Sequence, residues 1–368
     1  MSGRRHDLVI EVLRQPEQAL AYDGRQWDLL LRQAASANLS CRLAALFDAR
    51  GLAAAVPAGP AAHLDGARRL ARTKHAEVRR EVVFIQRALE HLGLPLLLLK
   101  GAAYVLAGLP AAQGRLFADV DILVPKARLA DVEAALMLAG WAGTHHSPYD
   151  QRYYRQWMHE LPPLVHLRRQ TSLDVHHAIS PETARWRADS APLFAHAVAL
   201  PGTAGLAVLA PADMVLHSMV HLLLNDELSH GLRDLSDIDL LLRHFSADSA
   251  FWPQLTARAA ELGLGRALHH GLHCVTETLA TPVPQATLAA VAAWGPGAPA
   301  RLVLQAAWRR TLRSPHPSAA QAGTRLALAG LVVRAHWLRM PPLLLARHLA
   351  VKALGLNKPP PPEVAVKV

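Results

Sequence analysis

Apolar residues near the start of the chain recur at the spacing of an α-helix. From Leu8 to about Ala55 they lie three or four positions apart, and the glycines and prolines that follow interrupt the pattern. A long helix is then predicted from about Ala61 to His91, where a Gly-Leu-Pro sequence ends it. Residues 1–60 are therefore expected to form a helical N-terminal region.

The next segments alternate between short strands and helices. The wholly apolar "LPLLLLK" predicts a buried strand, and "RLFADVDILV", which alternates and is rich in Val, Ile and Phe, predicts a second one. A short helix is expected between them, and an amphipathic helix after them. "PPLVHLRRQTSLDVHHAI" is typical of two strands joined by a turn near Gln170 to Ser172. Residues 61–205 are therefore expected to form an α+β core.

The strand pattern fades near Pro201, and helical spacing returns from Pro211 to about Leu354. The chain then ends in "NKPPPPEVAVKV", a polyproline sequence with nothing to bury. We expect a C-terminal helical domain over residues 206–355 and a Pro-rich tail over residues 356–368.

The composition fits a globular and mostly helical protein. Of 368 residues, 51% are apolar and 18% are charged, whereas aromatic residues make up only 5%. The cysteines, Cys41 and Cys274, are far apart and support neither a disulfide framework nor a thiolate zinc site, so a cytoplasmic location is expected. The start of the chain lacks a sustained apolar segment and the longer uncharged stretch contains prolines, so neither a secretory signal nor a membrane span is expected.

The charge of the chain favours acidic partners. The formal net charge is +10 and the isoelectric point is near 10.2, which suits nucleotides, nucleic acid or a membrane surface. Much of the excess, however, is arginine scattered along predicted helices, a pattern typical of a solvated helix face. Both interpretations of the charge stay open.

Two aspartates interrupt the second predicted strand. Side chains two positions apart in a strand project to the same face, so Asp119 and Asp121 are expected together while Val120 and Ile122 face the core. Carboxylates this close repel each other unless a cation lies between them. Mg²⁺ binds carboxylate oxygens, so the pattern predicts a metal site.

A phosphate-binding turn is predicted just upstream of the aspartates. The first strand ends at Lys100-Gly101 and passes into a helix, which supplies free backbone N–H groups and a lysine for an anion. Arg115 lies four residues before Asp119 and could reach the same anion.

The stretch "LLLLKGAAYVLAG...GRLFADVDILV" resembles the core of the DNA polymerase beta superfamily of nucleotidyltransferases. It is most similar to an uncharacterised bacterial branch that has a Lys-Gly turn, an arginine and Asp-x-Asp-x-Leu-Val. The resemblance implies an α+β fold, in which a small mixed sheet with helices is flanked by N-terminal and C-terminal helical regions. It also implies transfer of an NMP group from an NTP, taken to be ATP, to an acceptor hydroxyl with release of pyrophosphate.

The resemblance also implies a role for each candidate residue. Asp119 and Asp121 would bind two Mg²⁺ or Mn²⁺ ions, and Asp174 would complete the inner metal site and help to deprotonate the acceptor. Lys100 and Gly101 would hold the triphosphate. The superfamily commonly has Gly-Ser at this turn, and the serine is absent here.

Other interpretations are a catalytically silent nucleotide-binding or regulatory protein of the same fold, or a basic RNA-binding adaptor. The aromatic run from Tyr149 to Trp157 would serve the adaptor, but equally a lid or an acceptor-binding loop. The acceptor, which we expect in the cleft between the core and the C-terminal helices, could be a small molecule, a protein or an RNA end. The oligomeric state is open as well.

Two further patterns could imitate a metal site. Asp237 and Asp239 form a second Asp-x-Asp, but they lie in a predicted helix, where residues two apart point to different sides. Asp213, His217 and His221 share one helix face, and histidines of the core or of a cleft are the preferred interpretation.

Overall fold

The structure, a computed structural model, describes residues 6–144, 147–203 and 205–353. The predicted Pro-rich tail, residues 356–368, lies outside the described residues, as does the pair His145-His146.

Helices form the two ends of the described chain and flank its middle. In chain order they are α1 Leu8–Arg14, α2 Gly24–Ser36, α3 Ser40–Ala49, α4 Ala58–Leu89, α5 Lys100–Leu106, α6 Leu129–Leu138, α7 Pro148–Arg152, α8 Ala191–Ala195, α9 Pro211–Leu224, α10 Gly231–Phe245, α11 Phe251–Glu261, α12 Gly265–Leu279, α13 Gln285–Ala292, α14 Ala298–Thr311, α15 Thr324–Arg339 and α16 Pro342–Ala353. A π-helical segment, Tyr153–Trp157, directly follows α7. The long helix expected from about Ala61 to His91 is α4.

The strands are short and belong to one sheet. They are β1 Leu96–Leu98, β2 Asp119–Leu123, β3 Trp141–Gly143, β4 Leu164–His166, β5 Ser172–His176, β6 Val198–Ala199 and β7 Leu206–Val208. The seven strands lie in the order β3-β4-β5-β2-β1-β7-β6. β2 is parallel to β5 and antiparallel to β1, and β1 is parallel to β7, so the sheet is mixed. The predicted α+β fold class is confirmed.

Local sequence explains several of these elements. Asp23 caps α2, because its carboxylate accepts a hydrogen bond from the Gln26 amide at 2.8 Å while the Gln26 side chain accepts one from the Asp23 amide at 3.0 Å. β1 is buried at all three positions, as its unbroken leucine run predicts. β3, β6 and β7 were not predicted, because two or three residues are too few to show an alternating pattern.

The apolar core runs through the described chain from its first helices to its last. Leu30 of α2, Leu97 of β1, Ile122 of β2 and Leu268 of α12 are all inaccessible to solvent. The domain boundaries at residues 60 and 205 stay predictions, although β7, which lies just after position 205, pairs with β1 inside the sheet. No helix in residues 6–144, 147–203 and 205–353 is both long and apolar enough to cross a bilayer.

Candidate active site

The pairing of β2 with β5 brings the predicted carboxylates together. In this parallel pair Asp121 is directly opposite Asp174, and Asp119 is opposite Ser172. Alternation along each strand puts Asp119, Asp121 and Asp174 on one face of the sheet. The intervening residues Val120, Ile122, Leu173 and Val175 are buried in the apolar core.

Asp121 lies at the centre of the cluster, and one of its carboxylate oxygens is within hydrogen-bond distance of two side chains. It is only 4% exposed, and its Oδ1 lies 2.8 Å from the Lys100 ammonium and 2.9 Å from Nε2 of His176. Burial alone would raise the pKa of Asp121, but the Lys100 charge and the His176 hydrogen bond hold that pKa well below its usual range. Asp121 is therefore an ionised carboxylate inside the fold.

Neighbouring cations and hydrogen bonds stabilise the ionised forms of Asp119 and Asp174 less than that of Asp121. The charge of Asp121, together with burial, raises the pKa of Asp119. Burial, with the charges of Asp121 and Glu160, raises the pKa of Asp174 to about 7. Oδ1 of Asp174 is buried and has no hydrogen-bond partner among the described residues, so this face disfavours ionised carboxylates and leaves one oxygen unsatisfied.

This chemistry fits a divalent cation. Asp121, Asp174 and His176 each offer a ligand atom, and these atoms lie within 4.8 Å of one another. A cation among them would satisfy the orphaned Asp174 oxygen and reduce the repulsion between the carboxylates. Asp119 lies at the start of β2 on the same face but does not belong to this closest group.

The Lys100-Gly101 turn has a distinctive conformation. Lys100 has a φ of 41°, in the left-handed region that residues with a side chain seldom adopt, and its ammonium is bonded to Asp121. Burial would lower the pKa of Lys100, but the charge of Asp121 and its hydrogen bond raise that pKa above the usual range. Lys100 is thus a partly buried cation, and the phosphate contact of Lys100 and Gly101 stays a prediction.

Gly101 is packed against an aromatic ring. A Cβ added to Gly101 would lie 2.1 Å from Cδ1 of Phe117, a distance that no side chain tolerates. Glycine at this position therefore allows the segment that leads into β2 to cover the start of α5.

Arg115 is engaged away from the aspartates of β2. Its Nε donates to Asp237 of α10, and its Nη2 lies 3.7 Å from Asp234. Asp237 is itself buried and also accepts a hydrogen bond from Arg42 of α3. The second Asp-x-Asp thus lies in a helix, as its spacing predicts, and the first of its aspartates belongs to a buried ion-pair network. A phosphate contact of Arg115 remains untested.

The histidine face of α9 does not form the metal trio that its spacing allows. Asp213 is paired with Arg258, whose Nε lies 2.6 Å from Oδ1. Burial and the charge of Lys100 hold the pKa of His217 well below its usual range and lower the pKa of His221 to about 3. His217 is buried and His221 is partly exposed, as expected for core or cleft histidines.

Sequence reasoning missed the partners of His176. Glu160 is bridged to His176 through the backbone, and its Oε2 lies 3.3 Å from Nδ1 of the His176 ring. His159 packs on the same ring, with the two ring centroids 5.2 Å apart. His159 and Glu160 follow the irregular π-helical segment, so no strand or helix periodicity marked them.

A cavity of about 520 Å³ opens beside Asp119. Lys74, Arg80 and Phe84 of α4 form one side of it, and Phe117, Asp119 and Ser172 form another. Its lining combines charges of both signs, aromatic rings and hydroxyl groups, which suits a polar substrate with a planar part.

A comparison with known proteins identifies the family of the chain. The sequence model of an uncharacterised nucleotidyltransferase family matches residues 23–280 of the chain. The protein therefore belongs to that family, which indicates nucleotidyl transfer as its general activity. No curated protein and no solved structure matches the chain.

Proposed function

We propose that the protein is a metal-dependent nucleotidyltransferase that moves an NMP group from an NTP, with ATP as the first candidate, to a hydroxyl group of an acceptor. One observation carries the proposal: Asp121 and Asp174 lie opposite each other on adjacent parallel strands, and Oδ1 of Asp174 is buried without a partner in the part of the chain that the structure describes. Family membership supports the same class of reaction.

Asp121 and Asp174 would hold the inner metal ion, and Asp119 and Asp121 would share a second one. Two bound Mg²⁺ or Mn²⁺ ions supply a clamp on the attacking and leaving oxygens of an in-line displacement. The chain itself must then align the substrates and receive a proton. The family resemblance also assigns Asp174 a part in taking the proton of the acceptor hydroxyl, and its position opposite Asp121 beside the inner metal site supports that role.

The reaction requires one bond to form and one to break. The acceptor oxygen attacks the α-phosphorus, the bond from that phosphorus to the β-phosphate oxygen breaks, and pyrophosphate leaves with the electron pair. Lys100, Gly101 and Arg115 are proposed to contact the phosphates. Lys100 would have to share its ammonium between Asp121 and the nucleotide, and Arg115 between Asp237 and the nucleotide.

The cavity beside Asp119 is our candidate for the acceptor side of the reaction. Its lining residues come from α4, from the start of β2 and from the β4–β5 turn, rather than from the C-terminal helices. This location supports an acceptor that approaches along α4, in place of the cleft expected from the sequence. A cytoplasmic location of the enzyme also stays a prediction.

A catalytically silent nucleotide-binding protein is the second candidate. The observation that favours it is the bond between Lys100 and Asp121, because a buried ammonium already neutralises the central carboxylate. The RNA-adaptor interpretation is less favoured, since the aromatic rings of Tyr149 and Tyr153 stack on His348 of α16. Bases would have to displace that ring before they could stack on the tyrosines.

Isothermal titration separates these candidates. Each non-hydrolysable NTP is titrated into the protein with and without Mg²⁺, and the measurement is repeated with the Asp119→Asn/Asp121→Asn variant. The transferase predicts metal-dependent binding of a nucleotide that the variant loses. Metal-independent binding that survives in the variant would favour the silent protein, and an absence of nucleotide binding would refute both.

A further inference from the structure

Both ring nitrogens of His176 face carboxylates. Nε2 lies 2.9 Å from Oδ1 of Asp121, and Nδ1 lies 3.3 Å from Oε2 of Glu160. The side chain is 1% exposed, and Nδ1 has no hydrogen bond within the described chain. A buried imidazole with an unsatisfied nitrogen between two carboxylates calls for a structural or chemical reason.

Several carboxylates interact around His176. Four carboxylates interact here, those of Asp119, Asp121, Asp174 and Glu160. Among the described residues, Lys100 is the lysine or arginine that forms an ion pair with one of them. The cluster therefore has both the negative charge and the ligand atoms for a divalent ion.

The surroundings of His176 match those of a metal-binding histidine. Such a histidine presents one nitrogen to the ion and donates the N–H of the other nitrogen to a carboxylate, which fixes the tautomer and the ring orientation. Nε2 of His176 faces Asp121, which forms a ligand group with Asp174 and His176, and Nδ1 faces Glu160. When Nε2 binds the ion, the ring proton must lie on Nδ1, where Glu160 can accept it.

We propose that His176 is a ligand of the metal centre through Nε2 and that Glu160 is its positioning residue. The centre would then combine carboxylate oxygens with one imidazole nitrogen. Mg²⁺ favours oxygen ligands, whereas imidazole suits transition metals, so such a centre selects a cation such as Mn²⁺ over Mg²⁺. This inference rests on the proposed function, because it concerns the same site.

Pulsed electron paramagnetic resonance of Mn²⁺ bound to the wild-type protein tests the ligand directly. A coordinated imidazole couples its ¹⁴N nucleus to the Mn²⁺ electrons, so the wild-type spectrum should contain nitrogen modulation that the His176→Gln variant lacks. Because the key spectrum comes from the unaltered chain, the test does not depend on the folding of a variant. A wild-type spectrum without directly coordinated nitrogen would overturn the proposal.

Titration of Mn²⁺ and Mg²⁺ tests selectivity and the role of Glu160. The affinity for Mn²⁺ should fall about 10- to 100-fold in His176→Gln and in Glu160→Ala, the range typical for loss of a ligand's positioning partner, while the affinity for Mg²⁺ should change much less. His159→Gln is the comparison variant, because His159, Glu160 and His176 form a second group of ligand atoms within 4.8 Å of one another, on the other side of the His176 ring from Asp121. Its Mn²⁺ affinity should stay close to that of the wild type.

The outcomes separate this inference from the proposed function. If Mn²⁺ and Mg²⁺ both bind, both depend on Asp121 and neither depends on His176, the inference is wrong and the proposed function stands. If His159→Gln loses Mn²⁺ binding instead of His176→Gln, the inference is also wrong. If neither cation binds the wild-type protein with or without an NTP, the proposed function fails together with the inference.

Discussion

At the scale of single residues, Lys100 and Asp121 form the ion pair on which the candidate site is built. The Lys100 backbone adopts a left-handed conformation at the junction of β1 and α5, and its ammonium lies against a nearly inaccessible carboxylate. A residue with a side chain pays about 1 to 2 kcal/mol for this conformation. The strained backbone of Lys100 therefore accompanies a positive charge that is held in place beside Asp121.

Replacing Lys100 by methionine should make the stability of the protein depend on metal. Removal of one partner from a buried ion pair typically costs about 3 to 5 kcal/mol, because the remaining charge is left without compensation. A divalent cation can replace the lost charge, so Mn²⁺ should restore much of the stability. Chemical denaturation with and without Mn²⁺ measures both effects.

The matched control for this change is Lys126→Met. Lys126 also forms an ion pair with a carboxylate, that of Glu182, but its side chain is 54% exposed. An exposed pair contributes little, so this variant should remain within about 1 kcal/mol of the wild type. If Mn²⁺ stabilises Lys100→Met no more than it stabilises Lys126→Met, the ammonium is not adjacent to a cation site.

Asp119→Asn should abolish transfer without unfolding the protein. The raised pKa of Asp119 shows that Asp121 disfavours its ionised form, so loss of that charge relieves repulsion in the fold. We expect a loss of activity of roughly a thousandfold or more. We expect a change in unfolding free energy within about 1 kcal/mol.

Pyrophosphate release and thermal denaturation together check this prediction. Asp131→Asn on α6 is the control, because Asp131 is an exposed residue paired with Arg128. Near-normal turnover of Asp119→Asn would remove Asp119 from the catalytic site. Equal losses of activity in both variants would point to an indirect effect.

At the scale of elements, the segment before β2 connects the site to the helices around it. Arg115 joins this segment to α10 through Asp237, and Phe117 covers Gly101 at the start of α5. Arg42 of α3 joins the same ion-pair network. Contacts with three helices, α3, α5 and α10, thus fix the position of β2 and of its aspartates.

Gly101→Ala tests the contact between α5 and this segment. The added Cβ would overlap the Phe117 ring, so the variant should lose about 1 to 3 kcal/mol of unfolding free energy. Phe117→Ala removes the ring that the new Cβ would overlap. The double variant should therefore lose less unfolding free energy than the sum of the losses in the two single variants. Urea denaturation of the three variants measures this coupling.

Gly66→Ala in α4 is the matched control. Gly66 has open space where a Cβ would lie, and alanine favours a helix over glycine, so this change should stabilise the protein by roughly 0.5 to 1 kcal/mol. If Gly101→Ala behaves like Gly66→Ala, Phe117 does not pack on Gly101 in solution.

The sequence predicted those parts of the fold that local patterns encode. The leucine run of β1, the alternation around Asp119 and Asp121, and the helical spacing of α4 and α10 each have a period that belongs to one element. The opposition of Asp121 and Asp174 depends on two strands far apart in the chain, so the family resemblance suggested it before any pattern could.

The rest of the site could not be predicted from local patterns. Glu160 precedes β4 and reaches His176 through a single bridge, and Arg115 finds its partners more than a hundred residues later in α10. Polar side chains that meet across such separations leave no periodic signal. The expectation that Arg115 serves phosphate took no account of the buried aspartates that compete for it.

At the scale of the whole molecule, several histidines are buried as neutral groups. His270 of α12 is one of them: burial, followed by the charge of Arg334 and the neighbouring His269, His273 and Arg266, lowers its pKa to about 3. The unfolded chain binds a proton at this residue near pH 6.5, and the folded chain does not. The contribution of His270 to stability is therefore complete above pH 6.5 and is lost as the pH falls toward 3.

Stability should consequently decline below pH 6.5 by up to about 1.4 kcal/mol per pH unit for each such histidine. His270→Gln should weaken this decline, while the offset between variant and wild type should stay constant above pH 7. Denaturation between pH 5 and pH 8 gives the slopes. Parallel curves for the two proteins across the whole range would show that His270 is protonated to the same extent in the folded and unfolded states.

The direct opposition of Asp121 and Asp174 also governs how the gene can change without loss of the site. Each strand alternates between the core and the carboxylate face, so inserting one residue within β2 or β5 would turn aspartates inward and apolar side chains outward. The loops between the strands have no alternation of faces to preserve, so they can lengthen freely. Relatives should therefore vary in length between β2 and β5, while single-residue insertions inside either strand should be absent from functional members.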